Sequence, residues 1–253
     1  MTKLIAENIT LKAGNNTLVG GASFTLCGGE FTVLLGPNGA GKTSLLRGAV
    51  GLAALAGGRV TLGSKDIGAL PAQARAQALS YLPQIRPLAW PNRVRDIVAL
   101  GRFSFGGPMG RLSSIDHAAV EEAIECCELG AMAERKADTL SGGELARVHI
   151  ARALAAQAPL LIADEPVAAL DPRHQFRVMD LLARYVKGGG GALAVLHDIP
   201  LAARYADRII LMDAGKIIAN GPPDSVLTAE NLAHVYGVKA RIDGRDIRLL
   251  GPL

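Results

Sequence analysis

The chain has 253 residues, 49% of them apolar and 20% charged, with a net charge of +4. That length and apolar content bury a substantial core, and the mild, dispersed positive charge builds no basic groove, so no nucleic-acid partner is expected. The most apolar run, residues 48–58, is shorter than the roughly 20 residues of a bilayer span, and the start Met1-Thr2-Lys3-Leu4 has no secretory-signal pattern, which makes the cytosol the expected address. In chain order, Leu4 to Ile9, Ser23 to Leu26 and Arg59 to Leu62 read as strands of a small antiparallel layer. Phe31 to Leu35, Leu160 to Ala163, Ala192 to Leu196 and Arg208 to Met212 are solidly apolar, as strands of a parallel sheet covered on both faces should be. Between residues 85 and 157 the strand rhythm disappears, and Val94 to Leu100 and Asp116 to Leu129 read as helices of an inserted lobe. Lys187 to Gly191 reads as a flexible loop, and Cys27, Cys126 and Cys127 as reduced structural thiols. The expected fold class is α/β: mostly parallel strands, a small antiparallel β layer and an inserted helical subdomain. The expected division is 1–84 with 158–225 as core, 85–157 as helical lobe and 226–253 as a C-terminal tail.

The strongest local signal is Gly36-Pro37-Asn38-Gly39-Ala40-Gly41-Lys42-Thr43, which fits G-x-x-x-x-G-K-[ST] between a predicted strand and a predicted helix. Its glycines allow a tight loop whose N–H groups turn toward phosphate oxygens, and the helix after it presents its positive end to the same anion. In that context Lys42 reaches the β- and γ-phosphates, Thr43 offers a hydroxyl to Mg²⁺, and Ser44 can donate to a phosphate oxygen.

A second signal is the apolar run ending in Asp164-Glu165-Pro166. Carboxylates at a buried strand end are destabilising unless something cationic or hydrogen-bonding meets them. Asp164 is the candidate metal-side residue, and Glu165, pointing the other way, the candidate base for an attacking water. Taken alone, the pair also has a reading as a cap on the next helix, which the P-loop beside it disfavours.

The third is Leu140-Ser141-Gly142-Gly143-Glu144, where two readings stand together. Ser141 and Glu144 have capping-box spacing. The glycine pair weakens a helix start unless the backbone must lie close to something, and a serine with two glycine N–H groups at a helix start suits a phosphate.

A P-loop, L-S-G-G-E and a strand ending D-E-P, in this order, resemble the ATPases of the ABC family. The resemblance covers nearly the whole chain and adds Gln84 in Leu82-Pro83-Gln84, Asp171 in Ala169-Leu170-Asp171 and His197 in Val195-Leu196-His197. It implies that Gln84 joins Mg²⁺ and the attacking water to the helical lobe, and that His197 touches the γ-phosphate of ATP. It also implies a homodimer in which Ser141, Gly142 and Gly143 of one copy close over ATP held by Lys42 and Thr43 of the other, driving a polytopic membrane permease. Val98 to Arg102, Leu170 to Gln175, Ala203 to Asp207 and Val235 to Val238 are similar to bacterial importers of iron-siderophore, haem and cobalamin. Such importers imply a peripheral subunit on the cytoplasmic side of the inner membrane, served indirectly by a substrate-binding protein, with Trp90 and Arg102 facing the permease. The other class kept open is a soluble ABC ATPase acting on ribosomes or DNA. Two departures from the family are Ala13, where an aromatic residue usually stacks on adenine, and Leu145-Ala146 after the signature, where polar residues are common.

Overall fold

The computed structural model describes residues 2–84, 92–106 and 112–253. Three strands open the chain: β1 (Lys3–Ala13), β2 (Asn16–Cys27) and β3 (Phe31–Leu35). The first two pair antiparallel, and with β4 (Gly57–Leu62) and β5 (Lys65–Asp66) they form the expected layer, in the order β2-β1-β4-β5. In contrast, β3 enters a six-stranded sheet with β6 (Leu79–Leu82), β7 (Leu160–Ala163), β8 (Gly191–Val195), β9 (Arg208–Asp213) and β10 (Lys216–Gly221). The order is β10-β9-β3-β8-β7-β6, parallel throughout except for the antiparallel edge strand β10. A two-stranded ribbon, β11 (Val238–Asp243) with β12 (Asp246–Pro252), ends the chain.

The apolar strands are apolar because each face of the central sheet meets a separate core. Alternation along β3 sends Phe31, Val33 and Leu35 to one cluster and Leu34 to the other. The first cluster packs under α3 (Val94–Ala99), α4 (Ser114–Cys126), α5 (Gly142–Ala155), α6 (Pro172–Lys187), α7 (Ile199–Tyr205) and α9 (Ala229–Tyr236). The second packs under α1 (Lys42–Ala49) and the antiparallel layer. Two short helices, α2 (Ala72–Ala78) and α8 (Pro223–Val226), complete the set. Each fully buried Leu, Ile or Phe in these clusters contributes about 1.5–3 kcal/mol.

Helix ends follow their local chemistry. Ser113 and Asp116 close a capping box on α4, and Asp171 caps α6 with Pro172 at its first turn. Along α6, Val178, Leu181, Leu182 and Val186 repeat at helical spacing and are buried. The stretch from Lys187 to Gly191, read as a flexible loop, is a hydrogen-bonded turn that ends α6 and starts β8. Gly188, Gly189 and Gly190 donate to the carbonyls of Arg184, Val186 and Tyr185.

Among the described residues no helix is long and apolar enough to cross a membrane.

The parallel register carries the carboxyl ends of β3, β6, β7 and β8 to one edge of the sheet: Leu82 lies beside Ala163, Ala163 beside Ala194, and Val195 beside Leu34. The connection from β3 leaves toward β6 on one side and that from β9 toward β10 on the other, so the crevice beside β3 is a switch point, the place where open α/β sheets receive ligands.

Candidate functional site at the carboxyl edge of the sheet

Residues 36–41 turn from β3 into α1, whose first residue is Lys42. Gly41 lies at φ +91, and a side chain there would meet the carbonyl oxygen of Leu18 at 2.6 Å, so this position excludes any other residue on two counts. Behind it the β9–β10 turn acts as a brace: Gly215 donates to the Ala40 carbonyl (3.1 Å), and its own carbonyl accepts from Gly20 of β2 (2.9 Å). The antiparallel layer is thereby fixed to the phosphate loop. Lys42 is buried, and its Nζ donates to the carbonyls of Gly36 (2.7 Å) and Pro37 (2.9 Å). Burial holds its pKa below the usual lysine value, and the carboxylates of Glu165 and Asp164 oppose part of that shift. Thr43 is exposed, Ser44 half-buried, and Asn38 and Gly39 exposed at the loop tip, while Ala40 packs inward.

Asp164 and Glu165 follow β7. Asp164 is fully buried and its N–H donates to the Leu82 carbonyl (2.8 Å), which extends the β6–β7 pairing by one step. Glu165 sits at φ +50, a left-handed conformation uncommon outside glycine, which swings its carboxylate out of the strand alternation. There it joins the two other predicted residues. Gln84 Nε2 donates to Glu165 Oε2 at 2.7 Å, and His197 Nε2 lies 2.7 Å from Glu165 Oε1. Nε2 is thus the imidazole nitrogen that faces the carboxylate. Three strand ends thus deliver a glutamine, a carboxylate and an imidazole to one cluster, and the charge of Glu165 is felt by the P-loop lysine.

The signature segment resolves its two readings. Ser141 and Glu144 form a complete capping box on α5, as the spacing predicted. The glycines differ from each other. Gly142 is exposed and a side chain there would meet nothing within 4 Å. Gly143 is buried against the imidazole of His174. Only Gly143, then, is small because of its own chain. Asp171 is exposed and accepts from the N–H of His174 at 3.0 Å. Among the described residues, no hydrogen bond or ion pair joins residues 141–143 to residues 36–44.

Some expectations change. Arg102, expected at a permease-facing surface, is buried: Nε donates to Asp116 Oδ1 (2.8 Å), and Nη1 to the Ala155 carbonyl (3.0 Å) and Gln157 Oε1 (3.2 Å). The exposed side chains next to it are Phe103 and Phe105. Trp90 lies outside the described residues. Ala13 is exposed at the end of β1, whereas Ala146 is buried and Leu145 packs on the core, so the apolar pair after the signature serves α5 itself. One residue that motif reading did not single out for the site is Tyr236, whose hydroxyl is buried near the N–H of Gly36 without meeting hydrogen-bond geometry, and burial pushes its pKa up to about 12.

Comparison with known proteins agrees with this geometry. The family model described as ABC transporter matches residues 19–168. A hemin import ATP-binding protein HmuV of Rhodococcus jostii is 40% identical over 92% of this chain and 80% of its own length. Its counterpart of the same name in Rhizobium meliloti is 36% identical over 94% and 92%. Among solved structures, an ATP-binding cassette of an ABC transporter superposes with a TM-score of 0.83 at 26% identity, covering 93% of this chain and 99% of that one. A chain of an inward-facing ABC transporter described as of metal-chelate type gives 0.84 over 100% and 98%, and at 23% identity that likeness speaks for the fold alone. The chain belongs to the ABC transporter family, as an ATP-binding, ATP-hydrolysing subunit.

Proposed function

We propose that two copies of this subunit pair head to tail on the cytoplasmic side of the inner membrane, as the peripheral motor of an importer. The cargo is haem or a similar metal chelate, such as an iron-siderophore or cobalamin, handed by a substrate-binding protein to a separate polytopic permease. The observation that carries the hydrolytic reading is the cluster of Gln84, Glu165 and His197, bonded at 2.7 Å beside the P-loop. Glu165 takes the proton of the water that attacks the γ-phosphorus as the bond to the β,γ-bridging oxygen breaks, while His197 and Gln84 fix the carboxylate's orientation. Lys42, Ser44 and the N–H groups of residues 36–41 hold the phosphates. The donor set of Thr43 hydroxyl, Asp164 carboxylate and Gln84 amide suits a hard cation that keeps phosphate and water oxygens as its other ligands. Mg²⁺ held there would neutralise charge developing on the β- and γ-oxygens.

The open space around Gly142 supports an external approach: Ser141, Gly142 and Gly143 meet the ATP bound by the partner copy, and Asp171 lies at the same interface. Residues 1–84 with 158–225 serve as the nucleotide-binding core, 85–157 as the permease-coupled lobe and 226–253 as a tail. The haem reading rests on the relatives named hemin import ATP-binding proteins.

The test uses tagged Glu165→Gln subunit with Mg-ATP. Its turnover should fall about 100-fold or more, the scale of a lost general base, with ATP binding kept. Recovered from detergent-solubilised cells, it should retain a polytopic permease, and cells carrying it should lose haem uptake. Ribosomal or DNA-repair proteins in place of a permease would sink the importer reading in favour of a soluble ABC ATPase. Near-normal hydrolysis would remove Glu165 from the catalytic role.

A further inference from the structure

His174 occupies the third position of α6, immediately after the Leu170-Asp171 turn, and its ring lies flat under the start of α5. A methyl group built on Gly143 would sit 2.3 Å from Cδ2, 2.5 Å from Cγ and 2.7 Å from Nε2 of that ring, well inside van der Waals contact. The same residue holds the turn before it: its N–H donates to the Asp171 carboxylate and carbonyl, both at 3.0 Å, and its Nε2 lies 3.9 Å from Asp171 Oδ2. The next residue, Gln175, adds a bond from Nε2 to the Leu170 carbonyl at 3.1 Å. Two consecutive side chains at one helix start therefore grip the signature segment on one side and the Asp171 turn on the other.

The ring packs on Gly143, but that contact makes no use of its nitrogens. Nδ1 of His174 is buried and has no hydrogen-bond partner among the described residues. An orphaned polar atom opposes folding, and an apolar side chain would fill the same space without it. A buried polar atom without a protein partner calls for an explanation beyond packing. What the ring supplies is a flat, rigid plate that fits only against glycine and sets the height of the Gly143 backbone relative to Asp171.

We propose that His174 is a positioning residue for hydrolysis in the opposite copy: its imidazole locks Gly143 and Asp171 into one rigid unit, so that both meet the partner's ATP together. The proposal rests on the head-to-tail reading above. Within its own copy His174 meets Asp171 and Gly143, and its effect is exerted across the interface.

The experiment is subunit complementation with the full-length chain. His174→Ala is paired with Lys42→Ala and, separately, a His174→Ala/Lys42→Ala double variant with the parent chain; the two members of each pair, and of a reference pair of parent with Lys42→Ala, carry different affinity tags, so that only the mixed dimer is recovered in Mg-ATP and assayed. In the first mixture one composite site pairs an intact Lys42 with an intact His174, and hydrolysis should match that of a parent and Lys42→Ala mixture. In the second, the only site with Lys42 faces the altered signature, and hydrolysis should fall on the order of tenfold, the scale of a sub-ångström misplacement. ATP affinity of His174→Ala subunits, read by fluorescent-nucleotide titration, should stay within about twofold of the parent, because the lysine side of the site is untouched. Equal activity of the two mixtures, or a parallel loss of ATP affinity, would overturn the proposal. His174→Gln, which keeps a polar side chain of similar reach, repeats the comparison should the alanine variant fail to fold. If the Glu165→Gln parent stays monomeric by light scattering in saturating Mg-ATP, the head-to-tail reading itself fails and takes this inference with it.

Discussion

Replacing Arg102 by alanine tests whether the helices of the inserted lobe are held to one another by one buried ion pair. The side chains of Arg102 and Asp116 are only 3% and 9% exposed, and the guanidinium satisfies three acceptors and lies 3.6 Å from the centre of the Phe105 ring. The substitution strands the Ala155 carbonyl, removes the donor to Gln157 Oε1 and leaves the Asp116 carboxylate to its two contacts with Ser113, at 2.6 and 3.3 Å. Breaking a buried pair from one side costs about 3–5 kcal/mol, and the retained serine contacts place this case near the lower end. Denaturant unfolding should therefore show a loss of about 3 kcal/mol at unchanged slope. The double variant Arg102→Met/Asp116→Leu should recover most of it, since apolar side chains need no partner. Acid gives a second readout. The Ser113 hydroxyl first, and then Arg102, hold the Asp116 carboxyl below its ordinary range. A group whose pKa is lowered on folding stabilises at neutral pH and loses that contribution as pH falls through its folded value. The stability gap between the parent and Asp116→Asn should accordingly close below about pH 4. A loss under about 1 kcal/mol for Arg102→Ala, or a double variant as poor as the sum of the singles, would refute the reasoning.

Further expectations come from single positions. A side chain at Gly101 would meet the Arg152 carbonyl oxygen at 2.2 Å, so Gly101→Ala should destabilise by about 1–3 kcal/mol in thermal unfolding. Tyr236→Phe removes a buried hydroxyl that meets no hydrogen-bond geometry, and its melting temperature should equal or exceed the parent's. Cys126 lines a cleft of about 530 Å³ between α4, α5 and α6, where the neighbouring Cys127 thiol and the Arg184 guanidinium hold its own thiol below the ordinary cysteine value. At pH 7 Cys126 should thus be alkylated faster than an ordinary exposed cysteine, while Cys127, buried and shifted upward, stays inert; peptide mapping distinguishes the two.

The parts of the site that were legible are those whose geometry is local. A strand, a glycine loop, a lysine and a helix lie within one stretch of sequence, and the capping box at Ser141 needs only four residues. The strands of the central sheet were readable because burial on both faces removes polar residues from them. What failed depended on distant partners. Nothing near Arg102 in sequence announces Asp116, Ala155 or Gln157, so a charge beside a predicted interface was read as surface. Gly143 was seen to need a neighbour, yet His174 lies 31 positions further on. The strand β6 escaped because four residues are too few to show a period. The C-terminal ribbon had a usable signal that went unread: Asp243-Gly244-Arg245-Asp246 places a D-G turn between alternating side chains, and Asp243 pairs with Asp246 across it.

Two of the three ammonium protons of Lys42 are committed to the carbonyls of Gly36 and Pro37, and the side chain is buried. A free lysine gives up about 1.5–2 kcal/mol of rotamer freedom when it is fixed. Here that freedom has already been lost during folding, so an arriving phosphate meets a cation with little left to lose and exchanges one set of oxygen acceptors for another. Arginine at this position would keep the charge, but its planar fork cannot share three tetrahedral protons between a loop's carbonyls and a phosphate. The P-loop of this chain therefore selects for how a cation is held as well as for its sign.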